Sequence, residues 1–267
     1  MAMTKRTYIF FEQMQPNDIL FTLGTDHKGK ATVHASWNNS DVAVVSPACV
    51  THYPRVTGDG NFGSMWGPTD IQKTKFTVDL TDQEIGGAPN VDFANFKQFL
   101  DAVDERLLDF VQTNQLKLLG RKNLTRDEIK MLQIPSVKPK YDKLSGLLVG
   151  YSTQLSVQKF QPDGLGGKVA RPIAVCDKDN AVVPNGTVNP GDVVAATCYI
   201  NLVYTGVGGD KFGIHWAFED VKVLCQRSHL AQKTEVAAFG VTQYEFAKPY
   251  TFDALGAQLV SDPMVAA

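Results

Sequence analysis

No window of this sequence approaches 18 consecutive apolar residues, which excludes an ordinary membrane-spanning helix. The amino terminus, MAMTKRTYIFFEQMQPND, has a basic start but meets Glu12 and Asp18 before a long apolar run develops, so no secretory leader is expected. Cysteine is scarce and unpaired. Cys49, Cys176, Cys198 and Cys225 are scattered without CxxC spacing, which argues against a disulfide framework and against a cysteine-rich zinc site. A reducing, intracellular setting is the simpler expectation. A strong charge of one sign is missing too: the formal net charge is -2, so whole-protein basicity is not available for binding a polyanion, and any phosphate contact must come from a local patch.

Catalytic signatures are equally sparse. GxxxxGK[ST], HExxH and GxSxG do not occur. GDGNFG, from Gly58, has glycines at nucleotide-loop spacing, but it follows a turn-rich stretch and precedes no helix, the context in which such a loop would hold phosphate. His27, His34, His52, His215 and His229 never fall at ligand spacing on a helix. No enzyme activity, metal or cofactor is therefore expected.

What is present is mostly strand. In the first eighty residues TYIFFEQM, DILFTLG, KATVHASWN and DVAVVS are separated by Asn, Asp and Gly turn signals. Ala31, Val33, Ala35 and Trp37 alternate with polar residues, the period of a half-buried strand. GDGNFGSMWGP, Gly58 to Pro68, reads as a glycine-rich loop carrying Phe62, Met65 and Trp66. From Asn90 the period changes. Phe93, Phe96, Leu100, Val103, Leu107 and Val111 fall at steps of three and four, one face of a helix about six or seven turns long. A second helix is predicted at TRDEIKMLQ, where Thr125 and Glu128 have capping-box spacing and Pro135 bars continuation.

Beyond Leu147 the chain returns to strands. LLVGYSTQLSVQKF puts Leu147, Val149, Tyr151, Leu155 and Val157 on one face and Gly150, Ser152, Gln154, Ser156 and Gln158 on the other. With ARPIAVCD, VVAATCYINLVY and KFGIHWAFEDVKVL this predicts a four-strand meander. In the last of these Phe212, Ile214, Trp216 and Phe218 share a face, whereas Val221 and Val223 have the opposite parity. A bulge is expected near Glu219 and Asp220, and Gly213 is expected to permit sharp coiling.

Between the long helix and these strands, residues 117–143 hold eight Lys or Arg against three acids. A solvated helix face accounts for such a run, but this one leads directly into KPKYDKLSGLLVGYS, with Tyr141 among the lysines. On VVAATCYINLVY the apolar set is Cys198, Ile200, Leu202 and Tyr204, which leaves Tyr199 on the polar face as a candidate platform for a base; packing beneath the long helix is the alternative. Tyr151 and Trp216 are expected in the core.

YDKLSGLLVGYSTQLSVQKF, PIAVCDKDNAVV and GDVVAATCYINLVYTGVGGDKFGIHWAFEDVKVL, with KFGIHW and VKVL as the sharpest parts, resemble the OB-fold single-stranded-DNA-binding proteins of large DNA viruses and tailed phages. The resemblance implies a five-stranded barrel whose groove follows the phosphate backbone while aromatics stack on bases. It supplies no list of contacts. The expected class is α+β, mostly β, with an OB-like small barrel at about 145–226. The expected division is a β-rich region at 1–89, a helical and basic connection at 90–143, the barrel at 144–226 and a tail at 227–267. Charge and strand parity nominate Arg121, Lys122, Lys138, Lys140, Tyr141, Lys143, Lys159, Phe160, Lys168, Arg171, Tyr199 and Lys211 as nucleic-acid contacts. Expected partners are single-stranded DNA, replication proteins and further copies of the chain. The competing expectation is a structural virion or assembly protein, which the near-zero net charge favours.

Overall fold

The computed structural model describes residues 7–53, 56–57, 63–64, 67–68, 75–79, 91–157, 160–162, 168–170, 174–176, 187–188, 193–207, 211–225 and 258–259. In chain order its principal elements begin with β1 (Thr7–Phe10), β2 (Leu20–Thr25), β3 (Ala31–Trp37), β4 (Ala43–Val45), β5 (Cys49–Tyr53) and β6 (Lys75–Asp79). Three helices follow: α1 (Val91–Thr113), α2 (Gln115–Leu119) and α3 (Arg126–Leu132). The chain then forms β7 (Gln133–Ile134), β8 (Val137–Tyr141), β9 (Leu148–Val157), β10 (Val193–Val207) and β11 (Lys211–Cys225).

Five of these strands close on themselves. β5 lies antiparallel to β6, β6 antiparallel to β9, β9 parallel to β11, β11 antiparallel to β10, and β10 antiparallel to β5. Counting ring strands alone, the order round the barrel is 1-2-3-5-4 and back to 1. The fold is α+β, mostly β, with an OB-like barrel. Its ring is wider in sequence than 145–226, because β5 and β6 come from before the long helix; the sheet crosses the boundaries expected at 89 and 144.

The four-strand meander is corrected. Of the four expected segments, as far as the described residues go, β10 and β11 alone pair as a hairpin; β9 and Ala174–Cys176 both run parallel to β11. Parallel neighbours need a long crossover rather than a tight turn. The 15-residue β11 has edge enough for three segments: β7 pairs at Phe212–Gly213, β9 at Ala217–Phe218, and Ala174–Cys176 at 220–222.

The helical reading holds closely. The six apolar residues at helical spacing in α1 are all buried, in one cluster with Leu155 of β9, Val194, Ala196 and Cys198 of β10, and Phe212, Trp216, Phe218 and Val221 of β11. Each such side chain contributes about 1.5 to 3 kcal/mol on leaving water, which fixes α1 against the barrel. α3 begins at the predicted capping box: the Thr125 hydroxyl accepts from the Glu128 amide, and the Glu128 carboxylate accepts from the Thr125 amide. Donation from the Thr125 amide, and secondarily from the Thr125 hydroxyl, holds the Glu128 carboxyl below its usual range.

The expected phase slip is a bulge. Phe218 faces Cys198, but the next pair towards the strand's end is Val221 with Ala196, so β11 spends an extra residue at Glu219–Asp220. Phe218 and Val221 thereby enter the same core despite opposite parity. A second slip falls between Ile200 and Leu202. It turns Val203 into the core and leaves Leu202 exposed, contrary to the expected apolar set of β10.

Gly213 has a different role from the one expected. A Cβ there would lie 2.5 Å from the Tyr204 hydroxyl and 2.7 Å from the carbonyl oxygen of Ile134, its partner on β7. Backbone, not coiling, demands the glycine. Gly213→Ala should push β7 off β11 and destabilise the fold by about 1 to 3 kcal/mol, measured as a lower urea midpoint. An unchanged midpoint would contradict this.

The glycine-rich loop residues Phe62, Met65 and Trp66 lie outside the described residues, as does the tail except Gln258–Leu259, which pairs in parallel with β1.

Candidate functional site

Pro135 cannot donate a backbone hydrogen bond, so the chain leaves α3 as an extended segment and runs alongside β9 as β8. Its root is fixed by a buried polar network. The Ser136 amide donates to Asp104 Oδ2 at 2.6 Å, and the Ser136 hydroxyl donates to Asp104 Oδ1 at 2.8 Å. Trp216 Nε1 donates to Ser136 Oγ at 3.0 Å, and Thr153 Oγ1 donates to the Ser136 carbonyl at 2.9 Å. α1, β8, β9 and β11 are thus tied at one residue. Burial pushes the Asp104 carboxyl up to about 7, against the lowering effect of the Ser136 bonds and with smaller help from Asp101 and Glu105.

From that root β8 alternates. Val137 is buried, while Lys138 is exposed and Lys140 half-buried on the other face. Their register partners are Ser152 and Gly150 of β9. Lys138 Nζ reaches Gln154 Oε1 at 3.4 Å, so Lys138, Lys140, Ser152 and Gln154 share one polar face. The opposite face of β9 goes inward: Thr153 and Leu155 are buried, and Lys97 Nζ lies 4.5 Å above the centre of the half-buried Tyr151 ring. On the polar side β6 continues the sheet, with Thr77 in register with Gln154 and Asp79 with Ser152.

The β8–β9 turn is built around Asp142. Its Oδ1 accepts from the Leu144 amide, the Ser145 amide and the Ser145 hydroxyl, and its own amide donates to the Leu147 carbonyl. Those donors, the Ser145 amide foremost, hold the Asp142 carboxyl below its usual range. The turn presents Tyr141, 59% exposed, together with exposed Lys143.

The structure therefore gathers Lys138, Lys140, Tyr141 and Lys143 on one hairpin. The other nominated residues are not brought there. Arg121 and Lys122 follow Gly120, the left-handed cap of α2, and α2 packs on β3 and β10. Lys211 is exposed at the start of β11. Phe160 and Lys168 belong to a separate two-stranded ribbon, and Lys159 and Arg171 lie outside the described residues.

Tyr199 is a correction. It is 0% exposed, packed with Tyr8, Ala43, Val45, Ala195 and Ala217, and offers no platform for a base. β10 has neighbours along both edges, and this second face is walled by side chains from β1, β4 and β11 rather than left to solvent. The basic run also divides. Arg126 pairs with Glu105 at 2.6 Å and with Asp109, and Lys130 pairs with Glu105 at 2.6 Å, so both serve the packing of α3 on α1. The polar face of β9, with Ser152 and Gln154, is visible in the sequence as an alternation, but alternation alone does not mark it as a contact surface.

Among the described residues no group of three His, Cys, Asp or Glu is placed to hold a metal, and no helix is long and apolar enough to cross a membrane.

No family model matches the chain, and no curated protein matches it. Among solved structures it is similar to gp2.5, a single-stranded DNA binding protein encoded by bacteriophage T7, with a TM-score of 0.47 and 7% identity over 70% of this chain and 87% of that one. It is also similar to the single-stranded DNA-binding protein from bacteriophage Enc34 in complex with ssDNA. There the TM-score is 0.33 and identity 9%, over 77% of this chain and 96% of that one.

Proposed function

We propose that this chain binds single-stranded DNA with little sequence preference, along the strip formed by β8 and the polar face of β9. The observation that carries the reading is the lysine-bearing β8 laid against β9, the third strand of a five-stranded ring. Barrels of this kind bind oligonucleotides on the face of their second and third strands, here β6 and β9. Lys138, Lys140 and Lys143 neutralise phosphates, Ser152 and Gln154 accept or donate hydrogen bonds along the track, and Tyr141 stacks on a base. Phe160 is a second candidate aromatic, and Arg121, Lys122, Lys159, Lys168, Arg171 and Lys211 extend the contact where the strand runs on. A stacked base contributes about 1 to 3 kcal/mol in such binders and discriminates little among sequences. The role is that of a non-catalytic coat, protecting and organising unpaired DNA during viral or phage replication and recombination inside the cell, beside replication proteins.

The test is a titration of labelled oligo-dT at several salt concentrations. The log-log slope for a single strand is roughly 0.7 per phosphate contacted, so replacing Lys138, Lys140 and Lys143 together by Gln should lower the slope by about 2. Affinity at low salt should fall about tenfold or more. Absence of binding at low salt, or a slope indifferent to the three substitutions, would sink the reading.

A further inference from the structure

We infer that the tip of the β8–β9 hairpin is a wedge that separates paired strands where duplex meets single-stranded DNA. The inference rests on the binding reading above and adds a preferred substrate, the junction. Leu144 is 98% exposed and Leu147 is 68% exposed, and exposed Leu148 and Tyr141 stand beside them. An apolar group of this kind on a surface turn marks a contact with something outside the molecule. The turn is also stiff. Asp142 Oδ1 holds the Leu144 and Ser145 amides at 3.0 and 2.7 Å, Gly146 takes φ 68°, and the Gly146 amide donates to the Asp142 carbonyl at 2.9 Å. A turn bonded in this way keeps its leucines presented instead of letting them fold back.

Charge decides between a nucleic acid and an apolar protein groove. Residues 137–148 carry Lys138, Lys140 and Lys143 against the single acid Asp142, whose Oδ1 is taken up by three donors within the turn. Leucines flanked by cations suit a polyanion with apolar steps, and aliphatic side chains inserted between base steps unstack them. Position agrees. The last register pair of β6 is Asp79 with Ser152, so residues 141–148 project past it, at the end of the strip. A strand threading along Gln154 and Lys138 meets the leucines as it leaves.

The experiment uses the full chain and a forked duplex with an oligo-dT arm, carrying a fluorophore and quencher across the junction. The wild-type chain should open the junction, and the Leu144→Ser/Leu147→Ser double variant should open it about tenfold less while binding oligo-dT as the wild type does. Three results would overturn the wedge with the binding reading intact: no opening by a wild type that binds oligo-dT, equal opening by both proteins, or an altered self-association of the variant with opening unchanged. Parallel loss of oligo-dT affinity in the variant would also overturn it, by making the leucines part of the track. A wild type that binds no oligo-dT removes both readings together.

Discussion

The unfolding free energy of this protein should fall as pH rises from about 4 to about 7, and Asp104→Asn should abolish that component. The Asp104 carboxyl is buried between α1 and the root of β8, and burial raises it from the usual 3.8 to about 7. A carboxyl raised in this way is protonated in the fold at pH values where the unfolded chain has already released its proton. The stabilisation is therefore fully present below about 3.8 and is lost as pH climbs through about 7. Across the window the loss is on the order of 4 kcal/mol, a large part of the 5 to 15 kcal/mol that holds a typical domain together. Glu105 acts in the opposite sense, because Lys130 and Arg126 keep its carboxyl low, so the wild-type curve alone mixes the two. Urea unfolding of wild type and Asp104→Asn at pH 4.5, 6 and 8 separates them. The asparagine keeps an oxygen for the Ser136 amide and loses the ionisation, so its deficit should shrink or reverse as pH rises. A difference between the two proteins that stays constant with pH would refute the assignment.

How much of this was readable beforehand depended on which physical signal each element carries. α1 was legible because one stripe of six apolar residues at helical spacing has a single way to be buried, and all six are. The β11 bulge was legible because only a one-residue slip lets Phe218 and Val221 face the same core. The ring was not, since closure joins β5 and β6 to strands more than seventy residues away, and pairing partners leave no local periodicity. β8 was hidden by its own charge: VKPKY offers one buried residue, Val137, and its strand geometry comes from β9 and from Ser136 rather than from an apolar alternation. Tyr199 shows the limit of parity. Alternation tells which residues share a face, whereas covering that face is a property of β1 and β4 far away in sequence. Within the site the same division appears: the lysines of residues 138–143 were identifiable as a cluster, but the separation of Arg126 and Lys130 into ion pairs with α1 required the docked helices.

Trp216→Ala should be the most damaging single substitution in the barrel, costing about 3 to 5 kcal/mol. Trp216 is among the largest fully buried side chains, with its ring centre 6.4 Å from that of Phe99 on α1. Truncation leaves a cavity on the seam between helix and barrel, in a core too closely packed to collapse into it. It also removes the donor that orients the Ser136 hydroxyl towards Asp104. Trp216→Phe separates the two contributions: an aromatic ring still fills much of the space, while the N–H is gone, and a lost buried hydrogen bond of this type costs about 1 to 3 kcal/mol. If the network acts as a unit, Trp216→Phe and Ser136→Ala should be markedly less than additive, because either one already breaks the link. Far-UV circular dichroism in urea reads the wild type, the three single variants and the Trp216→Phe/Ser136→Ala double variant without relying on tryptophan emission. The consequence reaches the proposed DNA strip, since Ser136 immediately precedes β8 and fixes the direction in which Lys138 and Lys140 emerge. Trp216→Phe should therefore remain folded and bind oligo-dT more weakly than wild type with the salt slope unchanged, the mark of misplaced rather than missing cations. A cost below about 1 kcal/mol for Trp216→Ala, outside the range for a buried aromatic, would show that the seam is not where this fold is held.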